Sequence, residues 1–224
     1  MEAVLLNSGG IGSRVAAALA QRRGYRLHSL YIACEGDVVN RTWPAADRTA
    51  SMYCIDHYNL RWPSGAAGSL QPVPFKQLLV HILGAQYAAG LGAGVVVSGQ
   101  RLEAVPVDFP DMLREMLHSD GYGDGLDFNL PLWETGSLKQ VVYQARQQGV
   151  NLNDTYSCSQ VPHCGACAKC QQRKANHLLP VGSIGYQAYA ATGSSVSSLI
   201  GGLRVAGELR RQSPHPSKWE QKNA

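Results

Sequence analysis

Apolar residues fall along this chain in two alternating rhythms: short unbroken runs, and longer stretches spaced three or four residues apart. Glu2 to Asn7 is the first run, and it ends in turn chemistry as a strand buried on both faces does. Ile11, Val15, Ala18 and Leu19 then recur at helical spacing until Gly24 stops the helix, and Tyr25 to Ile32 reads as a second strand. Residues 35–72 have no clear period. Trp43-Pro44 and Trp62-Pro63 punctuate them, Ser64 to Ser69 reads as a small-residue loop, and Tyr53 to Trp62 reads as either a strand or a helix end.

Beyond Pro74 the pattern clears. Phe75, Leu79, Ile82 and Leu83 form one helical face that continues to about Leu91, and Gly94 to Gly99 is a buried strand. Asp111 to His118 is helical, and Phe128 to Trp133 is a short extended run. Leu138, Val141, Val142 and Ala145 repeat at helical spacing, with Ser137 as N-cap and Gly149 as the stop. Strands alternating with helices predict an α/β fold, a parallel sheet with helices on both faces and ligands at the carboxyl ends of the strands. The Ser8 loop and Ser98-Gly99-Gln100 both sit at such ends.

Composition narrows this to one globular α/β domain with a small appendage. The chain has 224 residues, 45% apolar and 16% charged, with no apolar run near the roughly 20 residues that span a bilayer. The formal charge of +4 is concentrated in the tail, where Arg204, Arg210, Arg211, Lys218 and Lys222 outnumber Glu208 and Glu220. The core before it is nearly neutral, which argues against a nucleic-acid groove. The expected organisation is an α/β domain over 1–150, a cysteine subdomain over 151–179 and a Gly/Ser-rich tail over 180–224, disordered or dependent on a partner.

Cys158, Cys164, Cys167 and Cys170 place four thiols in thirteen residues. A Cys-x2-Cys step turns the backbone so that two sulfurs point inward, and Gly165 eases the turn. The reading is a four-cysteine zinc knuckle, closed and therefore structural. A pair of disulfides competes with it, but nothing at the N-terminus looks like a secretory signal, and a cytoplasmic chain with clustered thiols more often holds metal. Cys34 and Cys54 stand apart and read as buried packing residues.

Ser8-Gly9-Gly10-Ile11-Gly12-Ser13 breaks a strand into a helix, the pattern of an anion site whose first-turn amides point at a ligand. It matches neither the Gly-x4-Gly-Lys-Ser/Thr phosphate loop nor the Gly-x-Gly-x-x-Gly dinucleotide fingerprint. A glycine-rich turn that merely packs a helix on a sheet is the plainer alternative.

In this order the chain resembles the 7-cyano-7-deazaguanine synthase family (QueC) of the PP-loop ATP pyrophosphatases, over about residues 3–178. The resemblance rests on Ser8-Gly9-Gly10-Ile11-Gly12-Ser13, Pro74-Phe75-Lys76-Gln77, Leu91-Gly92-Ala93-Gly94, Leu130-Pro131-Leu132, Tyr156-Ser157-Cys158, and the run from Cys164-Gly165 through Cys167 and Cys170 to Arg173. It implies a Rossmann-like PP-loop fold that binds ATP over 1–150, with the phosphates on residues 8–13 and structural Zn²⁺ on the four cysteines. Gly12 stands where the family has an Asp thought to hold Mg²⁺, Lys76-Gln77 replaces an Arg-Asn pair, and an Asp of the family is displaced to Asp108.

The activity implied is an ATP-dependent carbon–nitrogen ligase that adenylates the carboxylate of 7-carboxy-7-deazaguanine and passes the acyl group to an amine. The acceptor is ammonia, giving amide and then nitrile, or a protein amine in a defence pathway. Ser13, Lys76 and Asp108 are the catalytic candidates, with Asp37 or Asp108 as Mg²⁺ ligands in place of Gly12. On this reading Gly12→Asp leaves activity unchanged or raises it, and Gly10→Val blocks phosphate approach. Two other readings compete: a nucleotide- or deazaguanine-binding protein without catalysis, and a zinc-stabilised interaction module. The resemblance also implies a homodimer.

Overall fold

Residues 1–33, 39–61, 74–104, 106–119, 121, 125–158 and 164–178 are described by a computed structural model of the chain. Cys34, Asp37, Trp62-Pro63, the Ser64 to Ser69 loop and the tail over 180–224 lie outside these residues, as does the side chain of Lys76.

The first strand, β1 (Glu2–Leu6), leads into α1 (Ile11–Arg22) and then β2 (Arg26–Ala33). Next come α2 (Val39–Tyr53), β3 (Cys54–Arg61), α3 (Pro74–Leu91) and β4 (Val95–Ser98). The series closes with α4 (Phe109–Ser119), β5 (Asp127–Asn129), α5 (Leu138–Gln147) and α6 (Ala168–Ala175). The five strands form one parallel sheet in the order β3-β2-β1-β4-β5. This is the parallel sheet flanked by helices that the alternating pattern implied.

The pleat sorts the strand side chains. Ala3 and Leu5 of β1 join Leu27, Val95 and Val97 under the alanines of α1. Val4 and Leu6 face the opposite way, into a cluster with Val96, Ala85 and Ala88 of α3 and Leu113 and Leu117 of α4. Both faces of β1 are therefore covered, which is why its sequence is continuously apolar. Outside α1, the Val141, Val142 and Ala145 face of α5 packs on Ile11, Val15 and Ala18, and Leu152 and Leu178 complete that cluster. Ser137 caps α5 as expected: its hydroxyl accepts from the Gln140 amide, and the Gln140 side chain accepts from the Ser137 amide.

Two stretches differ from the pattern reading. Residues 39–53 form a helix with Pro44 inside it, in a region that carries no visible period. Its buried face is built from Ala45, Ala46, Thr49 and Ala50, so little hydrophobic contrast marks it. The extended run from Phe128 ends early, at Asn129. Pro131 has no amide to give a ladder, and the chain turns instead, with Trp133 bonding back to Leu130 and Thr135 to Leu132.

A candidate nucleotide loop beside a cysteine cluster

The chain runs from β1 to β2 and β3 on one side of the sheet, then returns to β4 and β5 on the other. The reversal lies between β1 and β4, and the crevice outside their carboxyl ends is where open α/β sheets take ligands. The loop Asn7 to Gly10 follows β1 into this position. Asn7 anchors it: its side-chain amide donates to Ser29 Oγ and to the Ala46 carbonyl, each at 2.8 Å, while its Oδ1 accepts from the Gly9 amide at 3.1 Å.

Gly9 has φ +72°, and a β-carbon there would lie 2.6 Å from the Thr42 carbonyl oxygen and 2.8 Å from the Ala46 nitrogen of α2. Position 9 is therefore closed to any side chain, on both backbone and steric grounds. Ser13, buried one turn into α1, returns its hydroxyl to the Ser8 amide at 3.0 Å and the Ser8 hydroxyl at 2.9 Å. Gly10 occupies the N-cap of α1 with extended backbone and, being glycine, brings no side-chain cap. The first-turn amides thus stand at the reversal point without an N-cap side chain to accept from them, the local arrangement that favours an anion. A β-carbon on Gly10 would meet only Ser8 Oγ at 3.3 Å and the Tyr156 carbonyl at 3.7 Å, so Gly9, more than Gly10, is the sterically obligatory glycine.

Gly12 and Gly99 press their main chains together. A β-carbon on Gly12 would lie 2.7 Å from the Gly99 carbonyl oxygen, and one on Gly99 would lie 2.7 Å from the Ser13 nitrogen. The first turn of α1 and the loop after β4 thus touch at a pair of glycines that leaves no volume for a carboxylate at position 12. The expectation that Gly12→Asp is harmless does not fit this contact. The loop contributes no carboxylate to Mg²⁺.

The other candidates separate. Asp108 is exposed just ahead of α4, its carbonyl accepting from the Met112 amide at 2.9 Å. Lys76 lies in the first turn of α3. Asp37 lies outside the described residues. Cys54 opens β3, half-buried, and burial pushes its thiol up to about 12.

The four cysteines do converge. The Sγ atoms of Cys158, Cys164, Cys167 and Cys170 all lie within 4.8 Å of one another, with Cys158 and Cys170 buried and Cys164 exposed. Amides of Cys167 and Ala166 aimed at Cys164 pull its thiol down to about 6, toward the thiolate form that a metal takes. Four soft donors at this spacing fit a tetrahedral Zn²⁺ shell. Cys158 and Cys170 also pack with Tyr156 and Ala45, which brings the cluster against α2.

Several residues that hold this region gave little warning in the sequence. The Tyr156 amide donates to the Gly9 carbonyl at 2.9 Å, a main-chain bond that no side-chain pattern reports. Buried Arg173 donates to Thr155 Oγ1 at 2.9 Å, and that hydroxyl donates to the Leu152 carbonyl at 2.6 Å. Arg14 is fully buried beside the loop. It donates to Thr49 Oγ1 at 2.8 Å and to the Asn151 carbonyl at 3.2 Å, and burial lowers its guanidinium from the ordinary value. A charged residue inside an apolar helical period was the one available signal for it.

Residues 68–178 match the family model described as "Queuosine biosynthesis protein QueC". No curated protein matches the chain. Among solved structures, a 4-thiouridine synthetase–RNA complex with bound ATP is similar at 18% identity, covering 79% of this chain and 49% of that one, with a TM-score of 0.46. The chain therefore spans about half the length of that synthetase. NMN synthetase from Francisella tularensis is similar at 18% identity, covering 97% of this chain and 88% of that one, with a TM-score of 0.43. A predicted subunit of tRNA methyltransferase from Methanocaldococcus jannaschii is similar at 14% identity, covering 70% and 92%, with a TM-score of 0.42. Likenesses this distant carry no argument about the chemistry of the present chain. The family match takes in α3, β4, the α5 region and all four clustered cysteines, and over these residues the chain is similar to the QueC family.

Proposed function

We propose that the chain is an ATP-dependent ligase that activates the carboxylate of 7-carboxy-7-deazaguanine and transfers the acyl group to an amine. The observation that supports this most is the uncapped first turn of α1 at the reversal point of the sheet, in a chain whose following segment matches the QueC family. The phosphates of ATP lie over the amides at the start of α1, and Ser13 holds Ser8 in the loop that faces them. A carboxylate oxygen of the substrate attacks the α-phosphorus, the bond to the β-phosphate oxygen breaks, and pyrophosphate leaves with its charge on the helix amides. Ammonia, or a protein amine, then attacks the acyl carbon and AMP departs, giving the amide. A second activation of the amide oxygen, with loss of AMP and protons, gives the nitrile. Zn²⁺ on the four cysteines supplies folding stability to the segment they tie and takes no part in the transfer.

A second reading, nucleotide binding without turnover, is favoured by the Gly12 and Gly99 contact, which removes the loop carboxylate. Losing one charge-stabilising group at a transition state costs roughly 10²–10³ in rate, so the first reading survives as a slow enzyme. Incubation with ATP, Mg²⁺, 7-carboxy-7-deazaguanine and ammonia, followed by mass spectrometry, is expected to give AMP together with amide or nitrile. ATP bound but no AMP with ammonia or a protein acceptor would hand the site to the second reading.

A further inference from the structure

We propose that the cysteine cluster and the Gly9 loop form one linked unit, so that metal on Cys158, Cys164, Cys167 and Cys170 raises the affinity of the loop for nucleotide phosphates. The inference rests on the metal and nucleotide readings above and adds the coupling between them. Gly9 is held between two surfaces. On one side is the main chain of α2 at Thr42 and Ala46, close enough to exclude a β-carbon. On the other is the Tyr156 amide, bonded to the Gly9 carbonyl at 2.9 Å. Both surfaces touch the cysteines: Cys158 follows Tyr156 by two residues, and Cys158 and Cys170 pack with Tyr156 and with Ala45 of α2 in one buried cluster.

The far side of the cluster is tied to the same point. Arg173, one turn beyond Cys170 on α6, donates to Thr155 Oγ1 at 2.9 Å. Residues 155 and 156 are thus gripped from Cys158 on one side and from Cys170 through Arg173 on the other. Four thiols drawn onto one ion fix the distance between those two grips. Thiol–thiol contacts such as Cys158 with Cys164 at 3.6 Å and with Cys167 at 3.9 Å are weaker ties than bonds to a shared ion, so metal holds the Tyr156 amide more firmly under Gly9. The first-turn amides of α1 follow Gly9 directly, so disorder there reaches the phosphate site. By linkage the effect is reciprocal: nucleotide tightens the metal by the factor by which metal tightens nucleotide.

The experiment compares zinc-loaded wild-type chain with the same chain stripped by a chelator. Calorimetry with ATP is expected to give a Kd at least about fivefold higher after stripping, within the range usual for coupled sites. Saturating ATP is expected to lower zinc transfer to a chromogenic chelator by the same factor. Hydrogen exchange is expected to show the amides of Tyr156 and residues 9–13 losing protection on stripping, while those of Val4 and Val97 keep theirs. Arg173→Met, which leaves all four ligands in place, is expected to keep one zinc per chain yet raise the Kd for ATP. An unchanged Kd in stripped, folded protein overturns the proposal. Loss of protection at Val4 and Val97 overturns it too, in favour of a metal that holds the whole fold. Loaded wild type that binds no ATP, or a chain that takes up no zinc, removes the underlying readings and is distinguishable from both results.

Discussion

Gly9 and Gly12 look alike in sequence and are constrained differently. Gly9 needs left-handed backbone and faces α2, so Gly9→Ala meets about 1–2 kcal/mol from the backbone conformation plus the contact with Thr42 and Ala46. Gly12 is bound by its contact with the Gly99 carbonyl. Gly12→Asp is expected to push the two segments apart and weaken ATP binding at least tenfold by calorimetry, in place of the gain that a restored metal ligand would bring. Gly10→Ala, whose β-carbon would meet the Ser8 hydroxyl at a tight 3.3 Å that a side-chain oxygen can relieve by shifting slightly, is expected to bind ATP within about threefold of wild type. If Gly12→Asp binds ATP and Mg²⁺ more tightly, the two segments are more separable than their contact implies.

Legibility in the sequence follows contrast between neighbouring positions. α1 and α5 bury aliphatic residues against polar neighbours, and the pattern reads them directly. α3 is apolar nearly all round, so its spacing points to Leu79, Ile82 and Leu83 while the helix turns His81, Gly84, Ala85 and Ala88 fully inward. α2 buries alanines and a threonine because it must come close enough for its main chain to touch Gly9 and accept from Asn7, and closeness removes the bulky residues that make a helix visible. The cysteines were legible because their spacing is itself the signal, and residues 8–13 because strand, loop and helix follow in order. The bonds between the two sites were not, since Tyr156 acts through its amide.

α3 also carries an acid-sensitive core group. His81 is buried between Phe109 at 5.1 Å and Phe128 at 5.7 Å, its Nδ1–H donating to the Gln77 carbonyl at 2.7 Å. Its Nε2 has no hydrogen-bond partner among the described residues. Burial holds the imidazole at about 4, below the ordinary 6.5, so the unfolded chain binds the proton first. Stability is full above about 6.5 and falls as pH drops toward 4, by on the order of 3 kcal/mol. His81→Phe is expected to flatten this fall in chemical denaturation between pH 6.5 and 4 while costing about 1–3 kcal/mol at pH 7.5 for the larger ring. An unchanged acid slope would assign the loss to other groups.

Across the molecule, the sheet and the cysteine cluster have separate cores. The clusters on the two faces of the sheet contain no ligand cysteine, and Cys158 and Cys170 belong to a small group with Ala45 and Tyr156. Purified protein is expected to carry one zinc per chain by elemental analysis, and Cys164→Ser to lose it while the far-ultraviolet dichroism of the sheet and its helices persists. Zinc-free protein with all four thiols oxidised in pairs would return the cluster to disulfides. No helix among the described residues is long and apolar enough to cross a membrane.

The strand order has a consequence for synthesis on the ribosome. β1 is the central strand, yet its two neighbours are made at very different times, β2 from Arg26 and β4 from Val95. At roughly 5–20 residues per second, the β4 edge of β1 waits several seconds or longer after β2 has been translated. During that interval Gly12 has no Gly99 to rest on, so the nascent chain holds a half-built ligand crevice beside an open edge of apolar strand. Translation speed between β2 and β4, rather than any feature of the finished sheet, governs how long that edge is offered to other nascent chains and to chaperones.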